Sequence, residues 1–165
     1  MDKRALSERD ICTKFITPSL VAAGWNVETQ LREEVGFTDG RIYVRGKLHA
    51  RGTQKRADYI LYYKANIPIA IVEAKDNNHS VNAGIQQALA YAQTLDIPFV
   101  FSSNGDAFHF HDKTVKSGAI EVELALNAFP SPADLWQKYK TFKGITDEVE
   151  SVVAQDYFSD VLKAS

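Results

Sequence analysis

The sequence predicts an α/β domain in which a mixed central β-sheet is flanked by helices. Residues 57–63 and 67–74 are both rich in β-forming side chains, and only a short polar loop separates them, so they predict an antiparallel pair of strands. A helical pattern and a further apolar strand, 98–103, follow the second of these segments. A strand, a helix and a strand in succession predict a crossover connection and therefore a parallel pair within the same sheet.

The first element along the chain is a predicted helix that begins at Ser7. Asp10 follows at the spacing of a capping box. Apolar residues then recur at helical spacing until Gly24, which provides a stop. Pro18 interrupts the pattern, and we expect it to kink the helix or to divide it in two.

Strands and a second helix are predicted over the middle of the chain. Residues 25–50 have a strand-like pattern, with a hairpin turn at Asp39-Gly40. After the strand pair described above, Ser80 is in position to cap a helix that runs to about Leu95.

The C-terminal part of the chain has a different character. A strand-like pattern over 120–126 leads to Pro130-Ser131-Pro132, which is typical of a boundary, and two helical segments follow. We therefore predict one domain over residues 1–128 and a helical linker over residues 129–165.

Length and composition indicate a folded domain. The chain has 165 residues, of which 45% are hydrophobic, enough for a sizeable core. Its longest apolar run, Ile67 to Val72, is too short to cross a bilayer, and the N-terminus lacks the apolar centre of a signal peptide. Cys12 is the only cysteine, which excludes an internal disulfide and a cysteine-based zinc site. These features favour a cytoplasmic protein with no membrane association.

The charge is nearly balanced overall but uneven along the chain. A net charge of −2 argues against a protein that coats DNA by electrostatics alone. One run of six basic residues contains no Asp or Glu and could hold a phosphate backbone. Its members are Arg41, Arg45, Lys47, Arg51, Lys55 and Arg56. A basic, solvated hairpin accounts for the same run equally well.

Charged residues in two neighbouring strands form the main candidate site. Glu73 and Lys75 follow a nearly continuous apolar run, and strand alternation sends both to the same face of the sheet. Charges at the end of a core strand are costly unless they are paired or bound to metal. Asp58 lies in the preceding strand, and antiparallel pairing across the loop at 64–66 brings it near Glu73.

Two converging carboxylates are hard oxygen ligands of the kind that Mg²⁺ prefers, and the backbone carbonyl of Ala74 could add a further ligand. Mg²⁺ in this position would acidify a water molecule and neutralise charge on a phosphodiester. Lys75 would orient that water or stabilise the pentavalent transition state. From the residues alone, a plain ion pair of Asp58, Glu73 and Lys75 at the sheet edge is an equally good explanation.

Five segments, in a fixed order within residues 7–112, resemble one protein family. They are Ile16–Trp25, Ala57–Leu61, Ile71–Lys75, Gln87–Ala92 and Pro98–Gly105. Asp58 followed by Glu73-Ala74-Lys75 resembles the D…ExK core of the PD-(D/E)xK nucleases, although no proline precedes Asp58. More closely, the segments resemble the N-terminal endonuclease domain of the R (restriction, motor-bearing) subunit of type I restriction enzymes.

The resemblance implies a restriction-endonuclease-like core with a defined catalytic centre. Asp58 and Glu73 would be metal ligands, and Lys75 would be the catalytic lysine. The implied activity is endonucleolytic cleavage of double-stranded DNA that depends on Mg²⁺, for which Mn²⁺ could substitute. The target sequence would be read by a separate specificity subunit.

Three further residues match elements of the same family. Gln87 and Tyr91 match a Q-x-x-x-Y element shared with RecB-type nucleases, and their spacing puts them on one helix face, where they could contact DNA or support the site. Ordinary polarity at a helix flank is the alternative. Glu8 matches an acidic residue that opens the first helix in many relatives, so it is a candidate accessory ligand; a charge that favours the helix N-terminus is an equal explanation.

One part of the R subunit has no counterpart here. That subunit continues into an ATP-driven motor, and no G-x-x-x-x-G-K-[ST] phosphate loop occurs in this chain. We therefore expect a fragment or excised domain, with ATP needed only by a motor outside it. The modification and specificity subunits would be partners of the full-length R subunit.

Two other functions fit the same residues. One is a catalytically silent DNA-binding or assembly module, against which the intact trio speaks. The other is another PD-(D/E)xK enzyme, such as a junction resolvase or a repair nuclease, which substrate comparison would distinguish. Separately, His109 and His111 share a strand face and could bind a metal, but the sequence indicates no third ligand.

Overall fold

The computed structural model describes residues 2–38, 41–43 and 55–150, with the backbone alone described for 41–43. Within these residues, seven strands form one sheet in the order β2-β1-β3-β4-β5-β6-β7. The strands are β1 (Leu31–Thr38), β2 (Arg41–Tyr43), β3 (Lys55–Tyr62), β4 (Pro68–Ala74), β5 (Phe99–Ser103), β6 (Ala107–Asp112) and β7 (Glu121–Ala125). The helices are α1 (Glu8–Ile11), a π-helical segment (Cys12–Ile16), α2 (Thr17–Ala22), α3 (Ile85–Leu95) and α4 (Pro132–Lys143), with 3-10 turns at Lys3–Ala5 and Leu126–Ala128. None of the helices in the described part could span a bilayer.

The predicted mixed sheet is confirmed. β3 and β4 pair antiparallel, with Tyr59 opposite Val72, and β4 and β5 pair parallel, with Glu73 opposite Ser102. The other neighbouring strands pair antiparallel. α3 supplies the crossover between the two parallel strands.

The sheet buries both of its faces against helices, as an apolar central strand requires. One face packs on α1, α2 and α4 and carries a cluster of aromatic rings. That cluster contains Trp25, Phe99, Phe101, Phe108, Phe110 and Phe129. The other face packs on α3 and is mainly aliphatic. Its members are Val35, Phe37, Ala57, Ile60, Tyr62, Ile71, Ile85, Ala88, Ala92, Ile97 and Val100.

The first helix begins as predicted. Ser7 and Asp10 form a reciprocal capping box, in which each side chain accepts a hydrogen bond from the other residue's backbone N–H. Pro18 occupies the first turn of α2, directly after the π-helical segment. Because proline has no N–H to donate to the preceding turn, the regular hydrogen-bond ladder is interrupted there.

The start of the helix after β4 differs from the prediction. We expected Ser80 to be its cap, but α3 begins at Ile85 with Gly84 as its N-cap, so that prediction is wrong. The Ser80 hydroxyl instead donates to Asn82 Oδ1 at 2.7 Å. The residues between β4 and α3 form turns that are tied to a distant part of the chain: the Asn104 amide donates to the carbonyl of His79 at 2.7 Å.

Two predictions lie partly outside the described residues. β1 and β2 pair antiparallel with Thr38 opposite Arg41, while the turn residues Asp39 and Gly40 are not described. Residues 151–165 are not described either, so the linker over 129–165 stays a prediction. Its first part packs on the domain, since the Trp25 indole donates to the carbonyl of Pro130 at 2.9 Å and Trp136 stacks on Tyr63 at 4.2 Å.

Candidate active site

The site lies at the end of the β3–β4 ladder, where carboxylate side chains replace backbone carbonyls as hydrogen-bond acceptors. Regular pairing reaches Tyr59 and Val72, and Asp58 and Glu73 come next. The backbone N–H of Asp58 donates to Glu73 Oε1 at 3.1 Å, and the backbone N–H of Ala74 donates to Asp58 Oδ2 at 2.8 Å. Each carboxylate thus accepts a bond from the opposite strand, so both are oriented by the backbone and not by flexible contacts.

In both β1 and β3, the alternation of side chains between the two faces of the sheet is broken at the level of this site. Glu34 has a φ of 52°, and it stands between the residues of two ladder pairs, Glu33 opposite Tyr59 and Val35 opposite Ala57. Tyr59 packs on the face of the sheet that carries the aromatic cluster, whereas Ala57 packs on the α3 face, although strict alternation would put both on one face. Asp58 lies at this irregularity.

Burial and like charge raise the pKa of Glu73. Its side chain is 3% exposed, and desolvation is the largest cause, followed by the charge of Asp58, which together bring the pKa to about 9. The two carboxyl groups are also close enough to hydrogen-bond to each other. A cation between them would remove both the repulsion and the need for a proton.

Glu8 and Lys75 belong to the same electrostatic neighbourhood. The pKa of Glu8 is raised first by burial and then by the charge of Asp58, while Lys75 acts to lower it. The backbone N–H of Lys75 donates to the carbonyl of Ser103 at 2.9 Å, which extends the β4–β5 ladder beyond β4. The structure therefore brings the predicted trio and Glu8, which the sequence also singled out, into one neighbourhood.

The available donors fit Mg²⁺ better than a transition metal. Across residues 2–38 and 55–150, no group of three or more His, Cys, Asp or Glu side chains is arranged to hold a metal ion. The oxygen donors at this site are the two carboxylates of Asp58 and Glu73 and the backbone carbonyl of Ala74. Such a small set of hard oxygen donors is what Mg²⁺ uses, because it keeps several of its water ligands.

Gln87 and Tyr91 form a unit of their own on α3. The Gln87 amide donates to the Tyr91 hydroxyl at 2.6 Å, and the Tyr91 ring makes an edge contact with Phe37 at 5.0 Å between centroids. Gln87 is exposed, and Tyr91 is half-buried. A role for either residue at the catalytic centre stays a prediction.

The predicted phosphate-binding run can be followed only at its ends. Lys55 and Arg56 open β3, the first half-buried and the second exposed, and the backbone of Arg41 lies in β2. The remaining members, Arg45, Lys47 and Arg51, lie outside the described residues.

The structure also identifies residues around the site that sequence reasoning missed. Ser102 is fully buried opposite Glu73, and Gly84 packs directly on both. Asn104 accepts a bond from the Asn77 amide at 2.9 Å and holds the loop that follows Lys75. The available signal was two serines at the end of an otherwise apolar strand, since a buried hydroxyl needs a specific partner.

His109 and His111 do acquire an acidic neighbour. Glu121 on β7 accepts from His111 Nδ1 at 2.9 Å with one oxygen and contacts His109 Nε2 with the other. These bonds lower the pKa of Glu121 and give both imidazoles a carboxylate partner.

Comparison with known proteins identifies the family. The family described as "Type I restriction enzyme R protein N terminus" matches residues 26–130, which include Asp58, Glu73 and Lys75. The chain belongs to this family.

Among the family's members, the endonuclease subunit of the type I restriction enzyme EcoAI from Escherichia coli is 49% identical over 156 residues. The match covers 94% of this chain and 19% of that subunit, so the chain spans about a fifth of its length. A solved fragment from Vibrio vulnificus YJ016, assigned to the HsdR subunit of a type I restriction enzyme, is 40% identical with a TM-score of 0.71. It covers 87% of this chain, and the chain covers 27% of it.

Proposed function

We propose that this chain is a Mg²⁺-dependent endonuclease domain that cleaves double-stranded DNA within the R subunit of a type I restriction enzyme. The observation that carries the proposal is the pair of carboxylates, Asp58 and Glu73, fixed by each other's strands beside Lys75. Family membership supports a restriction nuclease subunit in general. The metal, the substrate and the residue roles are part of the proposal.

The geometry supports the following roles. Asp58 and Glu73 would hold the metal, for which Mn²⁺ could substitute, and the carbonyl of Ala74 would support them. Mg²⁺ supplies an acidified water and neutralises charge on the phosphate. In such a hydrolysis, the water oxygen would bond to phosphorus as the bond to the leaving ester oxygen breaks, and the proton that the water loses would balance the one that the leaving oxygen gains. Lys75 would orient the water and stabilise the charge that develops on the phosphate oxygens.

The remaining site residues would place the DNA. Gln87 and Tyr91 would contact DNA at the flank of the site, Glu8 would assist the metal ligands, and the basic residues from Arg41 to Arg56 would hold the backbone. Intrinsic affinity need not be high, because a nuclease tethered in a larger complex works at a high effective concentration. The modification and specificity subunits would belong to that complex, located in the cytoplasm with its DNA. ATP would serve a motor elsewhere in the R subunit.

Nicking of supercoiled plasmid tests the proposal. The unmodified chain should nick in Mg²⁺ or Mn²⁺ and not in EDTA. Asp58→Asn and Lys75→Met should each lower the rate at least about a hundredfold. Glu123→Gln removes an exposed carboxylate on β7 and should leave the rate unchanged.

Two results would overturn this function. Equal nicking by the unmodified chain and both site variants would place the activity elsewhere or in a contaminant. DNA binding without any nicking, in either metal and with the DNA held by the full complex, would favour the silent assembly module.

A further inference from the structure

We propose that Ser102 is a positioning residue for the metal centre, acting through Gly84 on the orientation of Glu73. The inference rests on the proposed function, because it concerns how tightly that centre holds its metal. Ser102 would touch neither the metal nor DNA. Its role would be to hold the start of α3 against the strand that carries the catalytic carboxylate.

Ser102 joins three parts of the structure. It lies opposite Glu73 in the parallel β4–β5 ladder and is completely buried. Its hydroxyl donates to the carbonyl of Val81 at 2.7 Å and accepts from the backbone N–H of Gly84 at 3.1 Å. Both donor and acceptor capacity are therefore used to attach the loop before α3 to β5.

Gly84 shows how closely the two elements approach. Its φ of −90° is accessible to any residue, so backbone conformation does not require glycine here. Space does: an added Cβ would lie 3.1 Å from Ser102 Oγ and 3.3 Å from Glu73 Cβ. The residue before α3 therefore lies close to both Ser102 and the Cβ of Glu73, with little room between them for a side chain.

Loss of the Ser102 hydroxyl would release this contact. The part-buried carbonyl of Val81 and the buried N–H of Gly84 would both lose their hydrogen-bond partner, and the loop would shift to satisfy them. Glu73 would then lose its close contact with Gly84. Residues that orient metal ligands typically contribute about tenfold or more to metal affinity.

Ser103 offers a matched control. It is equally buried, donates to the carbonyl of Ala107 at 2.7 Å and accepts from the N–H of Gly105 at 3.1 Å. Its hydroxyl serves the turn before β6, away from Glu73. Ser103→Ala therefore removes the same chemistry at the same depth without touching the contact with α3.

The test is Mn²⁺ binding, measured by the electron paramagnetic resonance of free Mn²⁺, with thermal unfolding of each variant alongside. We expect Ser102→Ala to raise the Kd for Mn²⁺ about tenfold and Ser103→Ala to change it less than twofold, with similar losses in Tm. Gly84→Ala keeps every hydrogen-bonding group but fills the gap, so it should also raise the Kd. If Ser102→Ala does not fold, the Kd of Gly84→Ala tests the contact between this loop and Glu73 instead.

The outcomes separate this inference from the function beneath it. Mn²⁺ binding by the unmodified chain that Glu73→Gln abolishes upholds the metal centre. Given that, equal Kd values for Ser102→Ala and Ser103→Ala, with Gly84→Ala also unchanged, overturn the role of Ser102 alone. Equal binding by the unmodified chain and Glu73→Gln, or none by either, overturns the metal centre and the inference with it.

Discussion

Replacement of Glu73 by glutamine should stabilise the metal-free domain, and the gain should grow with pH. Burial, followed by the charge of Asp58, raises the pKa of Glu73 from 4.5 to about 9. The folded chain therefore retains a proton that the unfolded chain releases above its own pKa. Stability is lost progressively as the pH rises from about 4.5 towards about 9, at a rate of up to about 1.4 kcal/mol per pH unit.

The size of the effect follows from the distance between the pH and the unfolded-state pKa. At pH 8 the difference from 4.5 is about 3.5 units, which sets an upper limit of about 5 kcal/mol, whereas at pH 5 the limit is about 1 kcal/mol. Glutamine has nearly the same shape, can still accept the bond from the Asp58 N–H, and does not titrate. The free energy of unfolding of Glu73→Gln should therefore exceed that of the unmodified chain at both pH values. This gain should be several-fold larger at pH 8 than at pH 5.

Urea unfolding in EDTA at the two pH values measures this difference. Glu123→Gln, which changes an exposed carboxylate, should show no pH-dependent gain. A Glu73→Gln variant that is less stable than the unmodified chain at pH 8, or equally improved at both pH values, would refute the reasoning. Saturating Mg²⁺ should stabilise the unmodified chain and leave the variant unchanged, since a ligand stabilises only the fold that binds it.

Two further predictions concern the scaffold around the site. Trp136→Ala should lower the free energy of unfolding by about 3–5 kcal/mol, because the indole is 5% exposed and stacks on Tyr63. The exposed Gln137→Ala should cost less than about 0.5 kcal/mol in the same urea titration. Equal stability of the two variants would mean that the segment after residue 128 is a linker only. Glu34→Gly should be more stable than Glu34→Ala by about 1 kcal/mol, because Glu34 has a positive φ that alanine tolerates poorly. A more stable alanine variant would contradict the distorted backbone.

The sheet and the meeting of the two carboxylates could be predicted because both depend on local signals. The loop of three residues between two apolar strands predicted their antiparallel pairing and brought Asp58 near Glu73. The exact alignment also needs a register shift between Leu61 and Tyr62, which moves Asp58 from the level of Val72 to that of Glu73 and has no sequence signal. The parallel pairing of β4 with β5 followed from the helix between them.

Features that depend on distant contacts could not be predicted. α3 begins at Ile85 and not at Ser80, and the residues before it are bonded to Ser102 and Asn104, which lie far along the chain. The break in side-chain alternation at Glu34 has no sequence signature, since glutamate is not a residue that favours a positive φ. Pro130 and Pro132 predict a boundary, but the sequence does not identify Tyr63, far along the chain, as the ring on which Trp136 stacks.

The position of Phe129 and Leu135 in the aromatic face has a consequence for synthesis on the ribosome. Both residues are buried against strands that are translated earlier, so that face stays open to water until they have emerged. At typical elongation rates, the stretch from Glu73 to Leu135 takes roughly 3 to 12 s to translate. The carboxylates of Asp58 and Glu73 are therefore synthesised several seconds before the residues that complete the packing of this face of the sheet.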